Sequence, residues 1–247
     1  MRYKDTMTND NTQSNVTRHP VMAVGIGPGD PELISVKGLK ALQQAELVFY
    51  PAGSASDETS NSISLGIIQQ YQLTGKLIPM VIPMNGINRA ENYRKAFDQI
   101  KQAWQQGYRV SVVSEGDILF YSTFGYLLHH LTEHQIPVDL IPGIPAFVLA
   151  ASAMHDSLVD GDDSLRIVAR PKSFGQITAL LEQTETLVIM KMSILKDWSQ
   201  FLLNCGKPFF YAEKLGTSQQ YVTSSAQELN NRTIPYFSII IIKNKAL

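Results

Sequence analysis

Short apolar runs alternate along the chain with segments in which apolar residues recur every three or four positions. The first run, residues 21–26, is followed by a loop rich in glycine and proline, and Ser35 then precedes a helical pattern. A short apolar run bounded by turn residues indicates a buried strand, whereas the longer spacing indicates an amphipathic helix that begins at a polar cap. The same unit recurs as far as residue 154 and predicts a mostly parallel sheet with helices on both faces.

The longest helical pattern covers residues 89–105 and stops at Gly107. Its apolar residues share one face at helical spacing: Tyr93, Ala96, Phe97, Ile100 and Trp104. Because glycine commonly ends a helix, we expect one helix over this segment, with that face buried.

The alternation loosens at residues 155–164, a segment that contains four aspartates. Beyond it, apolar runs predict strands at 165–169, 186–190, 209–213, 220–223 and 237–242, with helices near 175–183 and 194–204. Strands that follow one another without a helix indicate a mixed sheet. The expected organisation is a tail of residues 1–19, an N-terminal α/β domain of 20–154, a linker of 155–164 and a C-terminal α/β domain of 165–247.

Composition and charge exclude several classes of partner. The 247 residues include 21 Lys+Arg and 22 Asp+Glu, a formal net charge of −1, whereas a general nucleic-acid binder usually carries a basic stripe. The single cysteine, Cys205, excludes an intrachain disulfide and a cysteine-built metal site. The apolar run 238–242 is far shorter than the roughly 20 residues of a membrane helix. We therefore expect neither a nucleic acid nor a membrane as partner, and a cytoplasmic location, since residues 1–19 lack the apolar stretch of a secretory signal.

The most informative segment is the loop at residues 25–30, which reads Gly-Ile-Gly-Pro-Gly-Asp between a predicted strand and a predicted helix. Glycines let the backbone approach a ligand, and open α/β sheets bind ligands at the carboxyl ends of their strands. The loop is not a dinucleotide fingerprint, because Asp30 stands where that motif needs glycine and Pro28 lacks an amide donor. Taken alone, the segment is equally typical of a tight strand-to-helix turn.

Two further loops follow predicted strands in the same way. Residues 114–122 read Ser-Glu-Gly-Asp-Ile-Leu-Phe-Tyr-Ser, and residues 141–146 read Ile-Pro-Gly-Ile-Pro-Ala. Loops at the carboxyl ends of parallel strands meet at one edge of the sheet. The sequence therefore predicts one crevice lined by all three loops.

With these loops in order and a late Gly216-Thr217, the sequence resembles the tetrapyrrole methylase family, the class III S-adenosylmethionine-dependent methyltransferases, over about residues 21–243. Residues 116–124, Met190-Lys191 and 235–238 resemble the branch that methylates carbon-20 of precorrin-2 or cobalt-factor II in cobalamin biosynthesis. One departure is Ile118, where many members have proline.

The resemblance implies two α/β domains with S-adenosylmethionine in the cleft between them, S-adenosylhomocysteine as product, no protein-bound metal and a homodimer. The positions that match the family's cofactor contacts are Pro28, Glu115, Gly116, Asp117, Phe120, Pro145, Ala146, Lys191 and Gly216. Asp117 alone is also typical of an Asx-turn or a helix cap, and in this context we expect the ligand role. No catalytic residue is assigned; Glu115 and Tyr121 are candidates for a base that removes the carbon-20 proton.

The acceptor implied by the resemblance is a polycarboxylate macrocycle, so cations should line its side of the cleft. The candidates near predicted loops are Arg89, Arg94, Arg166, Arg170, Lys172 and Lys214. Each of them, taken singly, is more often a solvated surface charge. We expect Arg89, Arg170 and Lys172 to bind the acceptor, with Arg170-Pro171-Lys172 the best-placed group.

Two other interpretations stay open from the sequence. One is a different branch of the same family that acts on uroporphyrinogen III or precorrin-4, or modifies RNA or diphthine. The other is a non-catalytic sensor that binds an adenosine ligand in the same cleft. Cofactor binding would test family membership, and methylation of an acceptor would separate the enzyme from the sensor.

Overall fold

The computed structural model describes residues 17–53, 62–82 and 88–244. These residues form two five-stranded sheets, one in each half of the chain, with helices between the strands. The predicted class of two α/β units is confirmed. Most of the predicted tail, residues 1–16, lies outside the described residues.

The first sheet is entirely parallel, with strand order β3-β2-β4-β1-β5. Its strands are β1 (Val21–Gly25), β2 (Leu47–Ala52), β3 (Lys76–Val81), β4 (Val110–Ser114) and β5 (Val138–Ile141). The helices of this half are α1 (Val36–Gln44), α2 (Ile63–Ile68), α3 (Arg89–Gln105) and α4 (Phe124–Glu133). Val112 of β4 packs in the core under α3 and α4, and its neighbour Val113 packs in the core under α1 and α2. Alternate side chains of the strand therefore bury both faces of the sheet, as predicted.

The second sheet is mixed, with order β6-β7-β10-β8-β9. Its strands are β6 (Leu165–Ala169), β7 (Thr186–Met190), β8 (Phe209–Glu213), β9 (Tyr221–Thr223) and β10 (Ser238–Lys243). The helices of this half are α5 (Ala146–Met154), α6 (Phe174–Leu181) and α7 (Trp198–Cys205). β6 is parallel to β7, and both β7 and β8 are antiparallel to β10. Strands β6, β7 and β8 therefore run in the same direction and end at the same edge.

Helix α3 has the bounds that its sequence pattern predicted. Tyr93, Ala96, Phe97 and Ile100 are buried as expected, but the prediction for Trp104 was wrong. Trp104 is only partly buried at the edge of the core, where its indole nitrogen donates to the carbonyl oxygen of His19 at 2.9 Å. A tryptophan can lie at such an edge because its ring is apolar and its N–H needs a partner.

Helix α5 follows the last strand of the first sheet but packs against the second. Its Ala150 is fully buried in a cluster with Val188 of β7 and Ile241 of β10. The domain boundaries drawn from the sequence stay a prediction, and this packing favours a boundary before α5 rather than after it.

Three loops of the first half meet through backbone contacts at glycine. The amide of Gly116 donates to the carbonyl oxygen of Gly27 at 2.7 Å, and the amide of Gly27 donates back at 3.2 Å. A Cβ placed on Gly25 would lie 2.6 Å from the amide nitrogen of Gly143 and 2.9 Å from the carbonyl oxygen of Gly116. Because the obstructing atoms belong to the backbone, only glycine fits at residue 25.

A second glycine contact joins the two halves. Gly29 and Gly216 both have positive φ angles, of 156° and 74°. A Cβ on Gly29 would overlap the carbonyl group of Leu215, and a Cβ on Gly216 would overlap the backbone of Asp30. Gly216 was predicted to contact a cofactor, and the structure places it at this backbone contact.

Gly25→Ala should lower the free energy of unfolding by about 3 kcal/mol, because three backbone segments must move apart to admit one methyl group. Gly66→Ala is the matched control. It lies in α2 with no atom within 4 Å of the added Cβ, so it should raise stability by about 0.5–1 kcal/mol. Urea unfolding at one pH measures both changes, and equal stabilities for the two variants would contradict the close-approach argument.

Candidate functional site

A cavity of about 360 Å³ opens between the two sheets at the carboxyl ends of their strands. The first half lines it with loops that follow β1, β4 and β5, and the second half lines it with residues that follow β6, β7 and β8. The volume lies within the range of small-molecule sites, which commonly occupy such switch points of α/β sheets.

Most of the site residues predicted from the sequence reach this cavity. Those that line it are Pro28, Glu115, Gly116, Asp117, Phe120, Tyr121, Pro145, Ala146, Lys191, Arg89 and Arg170. Gly216 does not line it, although the adjacent Leu215 does. Lys172 lies away from it on the exposed turn before α6, where its amide donates to Oε1 of Gln176 at 2.8 Å.

The Asp117 carboxylate joins two of the loops. Its Oδ1 accepts from the amides of Leu119 at 2.9 Å and Phe120 at 3.1 Å, and its Oδ2 accepts from the amide of Gly143 at 3.0 Å. The first pair forms the Asx-turn that the sequence also allowed. The third bond ties the loop after β4 to the loop after β5, so this side chain fixes the floor of the cavity.

Glu115 and Tyr121 both make contacts within the protein. Oε1 of Glu115 accepts from the hydroxyl of Ser64, a fully buried residue of α2, at 2.5 Å. Tyr121 has a positive φ of 50°, its hydroxyl donates to the carbonyl oxygen of Ile167 at 3.4 Å, and its own carbonyl oxygen accepts from Nζ of Lys191 at 3.0 Å. Both side chains therefore make hydrogen bonds within the protein. The role of a base stays a prediction for each.

Tyrosine rings contact three cations of the cavity, Arg89, Arg170 and Lys191. The Arg170 guanidinium lies 5.8 Å from the centroid of the Tyr236 ring and donates to its hydroxyl at 3.4 Å, while Nζ of Lys191 lies 5.4 Å from the same ring. Arg89, at the start of α3, donates to the hydroxyl of Tyr93 at 3.2 Å. Cation–π contacts of this kind restrict a long side chain without neutralising it.

Glu213, at the end of β8, lines the cavity but was not predicted as a site residue from the sequence. It is 6% exposed, and both of its oxygens accept from Arg232, at 2.6 Å for Nη2 to Oε1 and 3.2 Å for Nε to Oε2. The hydroxyl of buried Tyr211 donates to Oε2 as well. Burial acts to raise the pKa of Glu213, but the hydrogen bonds from Arg232 and Tyr211 outweigh it and hold that pKa below its usual value. Burial, followed by the bond to Glu213, raises the pKa of Tyr211 well above its ordinary range.

No group of three His, Cys, Asp or Glu side chains among the described residues is arranged to hold a metal ion. None of the helices in that part of the chain has the length and apolar character needed to cross a membrane.

A family model described as Tetrapyrrole (Corrin/Porphyrin) Methylases matches residues 20–230. The chain belongs to the tetrapyrrole methylase family. The assignment made from the order of the glycine loops is thereby confirmed.

Other tetrapyrrole methylases resemble the chain over most of its length. It is 29% identical over 235 residues to the precorrin-2 C(20)-methyltransferase of a Sinorhizobium species, covering 90% of this chain and 94% of that protein. It is also 29% identical over 241 residues to the cobalamin biosynthesis protein CobIJ of Mycobacterium tuberculosis, covering 91% of this chain but 46% of that protein. The chain thus spans about half the length of the CobIJ relatives. The branch that the sequence resembled is the one named in the Sinorhizobium relative.

A solved structure shows the same fold. The uroporphyrin-III C-methyltransferase of Thermus thermophilus, solved in complex with S-adenosylhomocysteine, superposes with a TM-score of 0.65 at 20% identity. The match covers 92% of this chain and 98% of that one. At this identity the likeness concerns the fold.

Asp117→Asn should lower the free energy of unfolding by about 2 kcal/mol, because an amide group cannot accept on both sides and leaves a backbone N–H without its partner. The matched control is Asp139→Asn, an exposed position on β5 that should leave stability nearly unchanged. Urea unfolding measures both. Wild-type stability in Asp117→Asn would show that these hydrogen bonds do not hold the loops.

Glu213→Gln should lower the free energy of unfolding at pH 7 by about 3 kcal/mol, because it leaves Arg232 without its carboxylate partner. The native pKa of Glu213 is below its unfolded value of about 4.3, so this contribution is present above the unfolded pKa and is lost as the pH falls through the native pKa. Unfolding curves of variant and wild type from pH 7 downward should therefore converge. Glu91→Gln, which removes an exposed pair with Lys95, is the control and should stay close to wild type throughout. A difference for Glu213→Gln that is independent of pH would refute the ion-pair explanation.

Proposed function

We propose that this tetrapyrrole methylase transfers a methyl group from S-adenosylmethionine to carbon-20 of a tetrapyrrole in cobalamin biosynthesis. The reaction converts precorrin-2 to precorrin-3A, or cobalt-factor II to cobalt-factor III, and releases S-adenosylhomocysteine. The observation that carries the proposal is the similarity to a precorrin-2 C(20)-methyltransferase over 90% of this chain and 94% of that protein. A probable cobalt-precorrin-2 C(20)-methyltransferase of Methanocaldococcus jannaschii, 26% identical over 90% of this chain, supports the same branch.

The first half of the cavity fits S-adenosylmethionine. A Cβ on Gly116 would lie 3.8–3.9 Å from the backbone of Ile144, Pro145 and Ala146, so the loops after β4 and β5 are in ordinary van der Waals contact here and their backbone lines the cavity. Gly116 has a positive φ of 68°, and the small residues Pro145 and Ala146 lie across from it. A ligand there meets backbone amides and carbonyls rather than bulky side chains, which suits a cofactor rich in polar edges.

We assign the cofactor to the positions that both match the family and line the cavity: Pro28, Glu115, Gly116, Asp117, Phe120, Pro145, Ala146 and Lys191. When bound, S-adenosylmethionine supplies an electrophilic methyl group on a positively charged sulfur. The chain's part is to hold the two reactants in a fixed orientation and to exclude water, which accounts for much of the acceleration of a displacement reaction. Backbone contacts among the loops and the Asp117 carboxylate keep that geometry rigid.

The second half of the cavity suits an acidic acceptor. Arg170 of the second half lines the cavity together with Arg89 of α3, and charge-assisted hydrogen bonds from guanidinium groups to carboxylates are strong and directional. Lys172, which was predicted with them, lies outside the lining and is not included in this proposal. After methyl transfer a proton leaves carbon-20; Glu115, Tyr121 or water accepts it.

We also propose that the protein acts as a homodimer in the cytoplasm and without a protein-bound metal. The family resemblance supports the dimer and the absence of a metal requirement. Light scattering of the purified protein tests the first, and activity after treatment with a chelator tests the second.

The decisive experiment is methylation of an acceptor panel followed by mass spectrometry. The protein is incubated with S-adenosylmethionine and, in separate reactions, precorrin-2, cobalt-factor II, uroporphyrinogen III or precorrin-4. We expect either of the first two to gain one methyl group. Methylation of only the other acceptors would move the protein to a different branch, and cofactor binding without any methylation would favour the adenosine-ligand sensor.

Arg170→Glu should raise the KM of the acceptor about tenfold and leave the affinity for S-adenosylhomocysteine unchanged, because it replaces an attractive charge with a repulsive one on the acceptor side alone. Arg166→Glu is the matched control: Arg166 lies near the start of the same strand, β6, donates to Oε1 of Gln183 at 3.0 Å and does not line the cavity. Steady-state kinetics give the KM and calorimetry gives the affinity. An unchanged KM in Arg170→Glu would remove this residue from the acceptor site.

A further inference from the structure

Unusual backbone conformations concentrate at the cavity. Nine non-glycine residues of the described chain have positive φ, and five of them do not line the cavity: Asn88, Gln135, His155, Asp197 and Asn231. The other four are Tyr121, Arg170, Lys191 and Lys214, and all of them line it. Asn, Asp and His tolerate this conformation comparatively well, whereas bulky residues adopt it at a cost in free energy. Four of the five costly cases, all except Gln135, thus fall at the candidate site, as strained residues commonly do.

The three cations of this set occupy equivalent places in the second sheet. Arg170 follows β6, Lys191 follows β7 and Lys214 follows β8, and these three strands end at the same edge. Their φ angles are 56°, 58° and 49°. The left-handed conformation recurs at three strand ends that differ in sequence. It is therefore a common feature of this edge of the sheet and is not confined to one loop.

Hydrogen bonds hold each cation in this conformation. The amides of the three residues donate to carbonyl oxygens of neighbouring strands or their extensions, Arg170 to Met190 at 3.0 Å, Lys191 to Ser238 at 3.1 Å and Lys214 to Phe237 at 3.0 Å. The sheet therefore fixes the backbone at the end of each strand. The residue that follows, in the left-handed conformation, lies in the wall of the cavity.

None of the three cations has a carboxylate partner within 4.0 Å among the described residues. Nζ of Lys214 donates to the neutral amide oxygen of Gln219 at 2.7 Å, Lys191 donates to a carbonyl oxygen, and Arg170 donates to a tyrosine hydroxyl. Three cations that line one cavity without a direct carboxylate partner favour an anionic ligand with several charges.

We propose that Arg170 and Lys214, together with Lys191, which is also assigned to the cofactor, form a carboxylate-binding edge, and that Lys214 is a further specificity-determining residue for the acceptor. The inference rests on the proposed function for the identity of the acceptor, a polycarboxylate tetrapyrrole. The left-handed backbone at these positions is retained because it aims the cations at the ligand. The same edge could serve one other carboxylate, that of the amino-acid part of the cofactor, and the experiment separates the two sources.

Lys214→Asn tests the proposal, because asparagine removes the charge and accepts a positive φ more readily than lysine. Gln135→Asn is the matched control at a positive φ outside the cavity. Binding of uroporphyrin III, a fluorescent polycarboxylate tetrapyrrole, is measured by fluorescence titration, and binding of S-adenosylhomocysteine is measured by calorimetry. Thermal unfolding of each variant is recorded under the same conditions.

We expect Lys214→Asn to weaken uroporphyrin III binding about tenfold, to leave S-adenosylhomocysteine binding unchanged and to raise the unfolding temperature. Gln135→Asn should raise the unfolding temperature without affecting either ligand. Lys214→Arg, which keeps the charge, should bind uroporphyrin III nearly as wild type does.

Wild-type binding of uroporphyrin III by Lys214→Asn would overturn the proposal, and so would a loss confined to S-adenosylhomocysteine. A fall in the unfolding temperature of Lys214→Asn would also overturn it, because the lysine would then be retained for stability. The binding measurements do not depend on turnover. If Lys214→Asn weakens uroporphyrin III binding but the wild type methylates no tetrapyrrole, the proposed function fails while the carboxylate-binding edge stands.

Discussion

The close approach of three backbone segments at glycine is the constraint on which the site depends. Gly25 lies so near Gly143 and Gly116 that a single methyl group has no place between them. Side-chain packing can adjust to small changes, but backbone atoms in contact on both sides cannot move without displacing whole strands. The loops after β1, β4 and β5 are therefore held as one rigid surface, and the Asp117 carboxylate adds a hydrogen bond between two of them.

The two halves of the chain build the cavity by different physical means. The first half brings backbone segments close together at Gly25, Gly116 and Gly143, so its wall presents peptide groups. The second half presents long cationic side chains that leave the sheet at left-handed turns, with Tyr236 between two of them. A cofactor with many polar edges can hydrogen-bond to peptide groups, whereas an acceptor with many negative charges needs cations. The two walls of the cavity therefore suit the two ligands. The contact of Gly29 with Leu215 fixes the spacing of the two walls.

Much of the fold could be predicted from the sequence because its signals are local. The bounds of α3 can be predicted from the spacing of apolar residues along one segment. The positions of the glycine loops can be predicted because each comes directly after an apolar run that indicates a strand. The errors arise where position depends on distant parts of the chain. Lys172 and Lys214 both follow predicted strands, but Lys214 comes directly after β8 and lines the cavity, whereas Lys172 lies three residues beyond β6 on an exposed turn. Glu213 could not be predicted as a buried cavity residue, because its ion-pair partner Arg232 comes from a loop beyond β9, distant in sequence.

The ion pair of Glu213 also bears on the charge of the cavity. Glu213 precedes Lys214 in the chain, and both residues line the cavity. Arg232 and Tyr211 together engage both oxygens of Glu213, so the Lys214 ammonium is left with a neutral partner. The net charge of the whole chain is −1, so long-range attraction cannot concentrate an acidic ligand at this surface. The local excess of positive charge must do so, and it depends on Arg232, which pairs with the buried carboxylate of Glu213.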